Sequence, residues 1–245
     1  MQPPRPLEGL RVAVTRAAEQ CAELSDKLRA QGALPVEWPL IALVPPLDSA
    51  PLDAAICRLV HFDWIVFSSA NGVRFFCARP GAAAWPGLLC VAAVGTQTAS
   101  ALQRRGWPVD AVPEEFLAAN LAATMGELDG MQVLVVHPDI ASHELAEALQ
   151  ARGARVTEVA AYRNVPTPSK EPLDLALVDV VTLASASAAT NFAARLGRQP
   201  LGQVRIATIG PSTTVAARRA GLPVPVEAEV HTLDGLVQAI RKAEG

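Results

Sequence analysis

Short runs that are apolar throughout alternate along the chain with stretches in which apolar residues return at helical spacing. The runs are "RVAVT" (Arg11–Thr15), "DWIVFSS" (Asp63–Ser69), "CVAAVG" (Cys90–Gly95), "QVLVVH" (Gln132–His137), "DVVTLAS" (Asp179–Ser185) and "RIATIG" (Arg205–Gly210). A strand covered on one face alternates apolar and polar residues, whereas one covered on both faces reads as a continuous apolar run. These six therefore predict buried strands of parallel sheets. Each is followed by a polar or glycine-containing turn and then an amphipathic segment. "AELSDKLRAQG" and "HELAEALQARG" close on Gly32 and Gly153, as helices stopped by a left-handed residue do. Strand and helix in strict alternation imply an α/β architecture.

The pattern also repeats itself. At an offset of 121, Val12–Pro45 aligns with Val133–Pro166, with identities at Glu23/Glu144, Leu24/Leu145, Gly32/Gly153, Glu37/Glu158 and Pro45/Pro166. At 116, "DWIVFSSANGVRFFCARPG" aligns with "DVVTLASASAATNFAARLG". At 115, "AVGTQTASALQRRGWPV" aligns with "TIGPSTTVAARRAGLPV". Three ordered blocks at nearly one offset mark a duplicated unit of about 110 residues, far longer than a solenoid repeat of ~20–50. Proline-rich connections at "LVPPLDSAPLD" (Leu43–Asp53) and "NVPTPSKEPLD" (Asn164–Asp174) read as crossings between the copies.

Composition narrows the partners. Aromatic residues are 4% and the formal net charge is −3, with no run of Lys or Arg, which argues against nucleic acid. No apolar run approaches the ~20 residues that cross a bilayer, and "MQPPRPLEGL" lacks a secretory pattern. Cys21, Cys57, Cys77 and Cys90 show no CxxC spacing and are expected to be reduced, mostly buried thiols of a cytoplasmic protein. His61, His137, His143 and His231 form no metal-ligand spacing, so no metal is expected.

In open parallel sheets ligands bind beyond the carboxyl ends of the strands. The residues there are Arg16; Ser68, Ser69 and Asn71; Gly95, Thr96, Gln97 and Thr98; His137; Ser185 and Ser187; and Gly210, Ser212 and Thr213. Small hydroxyls and glycines at helix starts leave backbone N–H groups free for anions, yet the same residues are the preferred helix N-caps. Neither GxGxxG nor GxxxxGK[ST] occurs, and GxSxG is absent, which disfavours the common nucleotide sites and a serine-hydrolase elbow. Tyr162, the only tyrosine, lies in "EVAAYRNV" beside the second crossing. It reads either as a core ring with a bonded hydroxyl or as a proton donor in a cleft, since a phenol keeps its proton at neutral pH. Arg16 and Arg163 offer full positive charge at the same junction.

Together "VAVTR", "DWIVFSSANGV", "AVGTQTASAL", "AAYRNV", "TIGPSTTVAARRAGL" and "HTLDGLVQAI", in that order, make the chain resemble the uroporphyrinogen-III synthase family over nearly its whole length. The resemblance implies two similar α/β lobes with parallel sheets flanked by helices, of flavodoxin or Rossmann type, joined by a two-stranded ladder. One lobe is then discontinuous, residues 1–36 with 167–245. The other is 42–158, and 37–41 with 159–166 form the ladder from "WPLIA" and "VAAYR". The implied activity, a cyclising hydro-lyase without metal or organic cofactor, converts the linear tetrapyrrole hydroxymethylbilane to uroporphyrinogen III. Water leaves the hydroxymethyl group, and the azafulvene is attacked by ring D at its substituted carbon. The resulting spiro intermediate reopens and ring D rejoins inverted. By resemblance Tyr162 assists departure of the hydroxyl as an acid, with Thr98 and Thr213 matching threonines of the family's two turns. The remaining strand-end residues and Arg163 would hold a polycarboxylate, and the lobes would face each other across the active-site cleft. A monomer is expected, with transient contact to the enzyme that makes the substrate. One departure is "HPDIASHEL" after the fourth strand run, where family members carry a Gly- and Arg-containing turn. His137 or His143 replaces that arginine, or the contact is missing.

Two other readings stay open at this level. A bilobed cytosolic protein that only binds an anionic small molecule would use the same turns. A sugar-phosphate isomerase-like enzyme would need a Glu/His or Lys base in those turns, and none is there.

Overall fold

The computed structural model describes residues 5–82, 85–113, 118–168 and 173–244, so part of the second proline-rich connection lies outside them. In chain order the elements are β1 (Arg11–Val14), α1 (Ala18–Ala30), β2 (Leu34–Glu37), β3 (Ile41–Val44), α2 (Ala50–Cys57), β4 (Trp64–Phe67), α3 (Ala70–Cys77) and β5 (Cys90–Ala93). There follow α4 (Thr96–Gln103), α5 (Ala118–Thr124), β6 (Gln132–Pro138), α6 (Glu144–Gln150), β7 (Arg155–Pro166) and β8 (Val180–Leu183). The last are α7 (Ala186–Leu196), β9 (Arg205–Thr208), α8 (Pro211–Arg219), β10 (Val226–Glu227) and α9 (Leu233–Glu244). All six apolar runs are strands.

The chain forms two compact units, Met1–Leu43 with Val165–Gly245, and Val44–Asn164. The first holds a parallel sheet in the order β10-β9-β8-β1-β2. Numbered within the unit this is a flavodoxin-like order, with its switch point between β1 and β8. Both faces are covered. Val12 and Val14 pack with α1 and α9 through Leu24, Leu28, Leu236 and Ile240. Ala13, Val181 and Ile206 pack with α7 and α8 through Ala189, Phe192 and Ala217. That two-sided burial is why these strands read as uninterrupted apolar runs.

The second sheet has the order β3-β7-β6-β4-β5. Strands β7, β6, β4 and β5 are mutually parallel and stand where β2, β1, β8 and β9 stand in the first sheet. The repeat is therefore circularly permuted: β4 and β5 precede β6 and β7 in the chain. The fifth position, β10 in the first unit, shrinks to a single parallel bridge, Ala92 to Ala111. One face carries Val66, Val133 and Val135 against Leu121, Leu128 and Leu149. On the other, Phe67, Phe76 and Trp107 meet edge to face with centroids 5.3–6.0 Å apart, the geometry the ring quadrupole favours. The chain leaves the first unit within β3 and returns within β7, and these strands are neighbours.

The duplication extends to single bonds. The carboxylate of Asp179 accepts the Arg11 N–H at 2.9 Å, and that of Asp63 accepts the Gln132 N–H at 2.8 Å. Gly32 and Gly153 sit at φ +93° and +87°. The residue after each donates to the carbonyl five residues back, Ala33 to Leu28 and Ala154 to Leu149, the bond of a Schellman closure. Among the cysteines the expectation needs correcting. Cys21 is buried, but Cys77 and Cys90 are half-buried and Cys57 is exposed, because α2 turns only Leu52, Ala55 and Ile56 inward. No described helix is long and apolar enough to cross a membrane.

Candidate active site

In the second unit the carboxyl ends of β6, β4 and β5 are where the turn residues gather. β4 ends at Phe67, and the next two residues are serines. Ser69 takes extended backbone (φ −159°, ψ 156°), and its Oγ accepts the Gly72 N–H at 3.0 Å, capping α3. Ser68 Oγ is buried and has no hydrogen-bond partner among the described residues. Buried hydroxyls are almost always paired, which marks Ser68 as a group with bonding capacity to spare. After β5, Gly95 caps α4 in extended backbone with no side-chain acceptor, so the first turn of α4 opens on backbone N–H groups. Thr96 and Gln97 are exposed there, whereas Thr98 is buried.

Tyr162 reaches this edge through an irregularity. β6 and β7 run in register to His137 opposite Ala160, and then Pro138 faces Tyr162. β7 thus carries one extra residue, Ala161, and such a bulge re-aims the side chains that follow. The Tyr162 ring is 5% exposed and stacks on Phe75 at 5.5 Å with an interplanar angle of 15°. Its hydroxyl lies 3.1 Å from Ser69 Oγ, and its carbonyl accepts the Asp139 N–H at 2.8 Å. The ring is therefore buried, as the core reading expects, while its hydroxyl faces a strand-end serine.

Charge at this edge is balanced locally. Glu158 on β7 accepts from His143 Nδ1 at 3.2 Å and lies 3.7 Å from His137 Nε2. The latter distance is too long for a hydrogen bond, and His137 Nδ1 faces the Pro138 carbonyl at 2.5 Å. The two histidines thus gather on one carboxylate. Arg163 directs its Nε to the Pro45 carbonyl at 3.2 Å.

The corresponding edge of the first unit repeats the turns with other chemistry. Ser185 caps α7 by accepting the Ala188 N–H at 3.1 Å, again from extended backbone (φ −162°, ψ 159°). Gly210 caps α8 in extended backbone and is covered by the His231 ring. Ser187 is half-buried, Ser212 exposed and Thr213 buried. Arg16 pairs with Glu23 at 3.0 Å, its side chain 16% exposed. The position equivalent to Tyr162 is Ile41, and the one equivalent to Phe75 is Asn191, whose amide donates to the Leu40 carbonyl at 3.0 Å.

Beside Arg16, Cys21 is buried, and burial followed by the nearby Glu37 pushes its thiol up to about 11, so it stays protonated at neutral pH. Among the described residues no cluster of three or more His, Cys, Asp or Glu is arranged to hold a metal. Sequence reasoning named Ser68, Ser69, Tyr162 and the glycine turns but missed Phe75, Glu158 and Glu23. Phase along the repeat contained the signal for Phe75, because a large ring there faces asparagine in the other copy.

A family model described as "HEM4: Uroporphyrinogen-III synthase HemD" matches residues 22–238. The uroporphyrinogen-III synthase of Synechococcus elongatus is 34% identical over 255 aligned positions, covering 97% of this chain and 97% of the relative. The crystal structure of the synthetase from Helicobacter pylori is similar with TM-score 0.65 at 16% identity, covering 96% of this chain and 99% of that one. A mutant uroporphyrinogen III synthase from Thermus thermophilus gives 0.59 at 21%, with 96% and 98% covered. The two solved structures share the fold, and the long sequence matches carry the kinship. Similar from one end to the other to a curated relative, and matched by the family model over most of its length, this chain belongs to the uroporphyrinogen-III synthase family.

Proposed function

We propose that the chain is a uroporphyrinogen-III synthase, closing hydroxymethylbilane with loss of water and inversion of ring D, and that Tyr162 donates the proton to the departing hydroxyl. The observation that carries the acid role is the 3.1 Å pairing of the chain's one phenol with Ser69 at the carboxyl edge of a parallel sheet. A buried ring held by Phe75 positions one proton without placing a fixed charge beside a cationic azafulvene.

The rest of the task is conformational. The substrate closes unaided to the type I isomer, so the enzyme has to decide which carbon of ring D attacks. In the second unit we assign carboxylate binding to the backbone N–H groups of Gly95 and Thr96, with Ser68, Asn71, His137 and Arg163. In the first we assign it to those of Gly210 and Ser212, with Ser185, Ser187 and Arg16. Helix N-termini suit carboxylates without demanding a basic protein, which fits a net charge of −3. Thr98 and Thr213 are buried within those turns, and we give them the role of holding each turn's first N–H groups in place. We further propose a cytoplasmic monomer that takes its unstable substrate in transient contact with the enzyme that makes it. Four free cysteines fit a reducing compartment.

The test is to supply freshly generated hydroxymethylbilane and separate the products by chromatography. Type III product above the spontaneous background supports the synthase. Type I alone refutes it and leaves a protein that binds an anionic ligand without turnover.

A further inference from the structure

Resting on the reading of Tyr162 as the acid, we propose that Ser69 is a positioning residue that carries the positive end of α3 through its own hydroxyl to the phenol oxygen.

The Gly72 N–H donates to Ser69 Oγ at 3.0 Å, and Ser69 Oγ stands 3.1 Å from the Tyr162 hydroxyl. With one lone pair of Oγ committed to the backbone, Ser69 has its proton left to give. If Ser69 gives it to Tyr162, the phenol oxygen is an acceptor and its own proton points elsewhere, toward substrate. The opposite arrangement, phenol donating to serine, cannot survive the reaction, because a phenolate only accepts. The phenol O–H bond breaks as its proton moves to the hydroxymethyl oxygen. The C–O bond then breaks with its electron pair leaving on water, and the pyrrole nitrogen lone pair forms the azafulvenium. The phenolate that results faces the series Gly72 N–H, Ser69 O–H, phenolate. That series polarises in one direction and ends at a helix N-terminus, where negative charge is favoured. The proton lost when the last ring regains aromaticity returns to the phenolate, so proton and charge balance over the cycle.

Two features make the arrangement specific. The ring has little freedom, since Phe75 stacks on it and the Asp139 N–H holds its carbonyl, leaving the hydroxyl rotor as the variable that Ser69 sets. The other copy supplies the comparison. Ser185 makes the same cap at 3.1 Å, but the residue aligned with Tyr162 is Ile41, so that serine has no phenol to donate to.

The experiment is a mutant cycle with kcat and KM for hydroxymethylbilane. Ser69→Ala removes cap and donor, Ser69→Asp keeps a capping oxygen but cannot donate, and Ser69→Thr keeps both. The proposal expects kcat to fall about tenfold or more in the Ala and Asp variants, KM to stay within about twofold, and Thr to recover most of the rate. In a Tyr162→Phe background Ser69→Ala should cost nothing further. Because the chain has one tyrosine, its Raman Fermi doublet reports the phenol's bonding directly and should lose its acceptor character in Ser69→Ala. Equal losses from Ser69→Ala in both backgrounds, or a Ser69→Asp enzyme at wild-type rate, would overturn the relay. Full activity in Tyr162→Phe alone removes the acid role first, and the single variant reports that separately.

Discussion

The two units share a skeleton and differ in where they put their hydroxyls. In the first, Thr15 Oγ1 donates to the Thr182 carbonyl and Thr182 Oγ1 to the Ala13 carbonyl, each at 2.7 Å. Thr208 and Thr214 pair through their hydroxyls at 2.6 Å. All four are buried. At the equivalent positions the second unit has Val136, Val66, Ala93 and Ala99, and its interior is held instead by Phe67, Phe76 and Trp107. Its hydroxyls stand at the strand ends, on Ser68, Ser69 and Tyr162. The first copy ties buried threonines into internal cross-links, whereas the second fills those positions with apolar residues and pairs the hydroxyls of Ser69 and Tyr162 at a strand end. After duplication the scaffold tolerated either choice, because the strand order, the caps and the turns do not depend on it.

What the copies share should respond alike, and there the largest effects on stability are expected. Gly153→Ala would place a methyl group 2.9 Å from Asp129 Cα at φ +87°, and Gly32→Ala would place one 2.8 Å from Arg5 Cβ at φ +93°. Each should cost roughly 3 kcal/mol, from left-handed backbone plus overpacking. Gly106→Ala, at φ +74° with open space around it, should cost only about 1–2 kcal/mol. Denaturant melts of the three variants compare them, and equal losses would show that contact adds nothing.

Next come the features that differ. Thr208→Val strands the Thr214 hydroxyl in the interior and should cost about 1–3 kcal/mol. Adding Thr214→Val should recover part of it, because removing both partners is gentler than removing one. Strict additivity would mean the two hydroxyls do not depend on each other.

The smallest effect concerns acid. Arg11, by its side-chain hydrogen bonds, holds the Asp179 carboxyl below its usual range. A depressed carboxyl stabilises above its unfolded value of ~3.9 and loses that contribution as pH falls through the folded one. Asp63 makes the same backbone bond without an arginine across from it, since Gln132 replaces Arg11. Asp179→Asn should therefore lower Tm at pH 7, by less than about 4 °C for a partly exposed pair, and leave it nearly unchanged near pH 2. A loss independent of pH would assign the effect to the backbone bond alone.

Much of this was legible in the chain. Continuous apolar runs announced strands buried on both faces, and the constant offsets announced the duplication before any coordinate. Gly32 and Gly153 marked helix ends. β2 and β10 were not read as strands, because β2 is four residues with a proline inside it and β10 has two residues. A strand in "WPLIA" came only from the family resemblance, and β3 begins at Ile41 and runs to Val44. The bulge at Ala161 has no local signature, so the aim of Tyr162 was invisible, although its identity was not. The ion pair of Arg16 with Glu23 and the contact of His143 with Glu158 depend on side chains that folding brings together. A sequence shows such residues as available charges, and only folding shows them as already matched.

The most direct test of the account replaces a single oxygen. Tyr162→Phe keeps the stacked ring and removes the phenol, so turnover of hydroxymethylbilane to the type III product should fall about 100-fold, or about 2.7 kcal/mol in the barrier, with the melting temperature nearly unchanged. A variant that makes type III product at the wild-type rate would contradict it and leave the Tyr162 hydroxyl as the bonded partner of Ser69 with no part in the reaction.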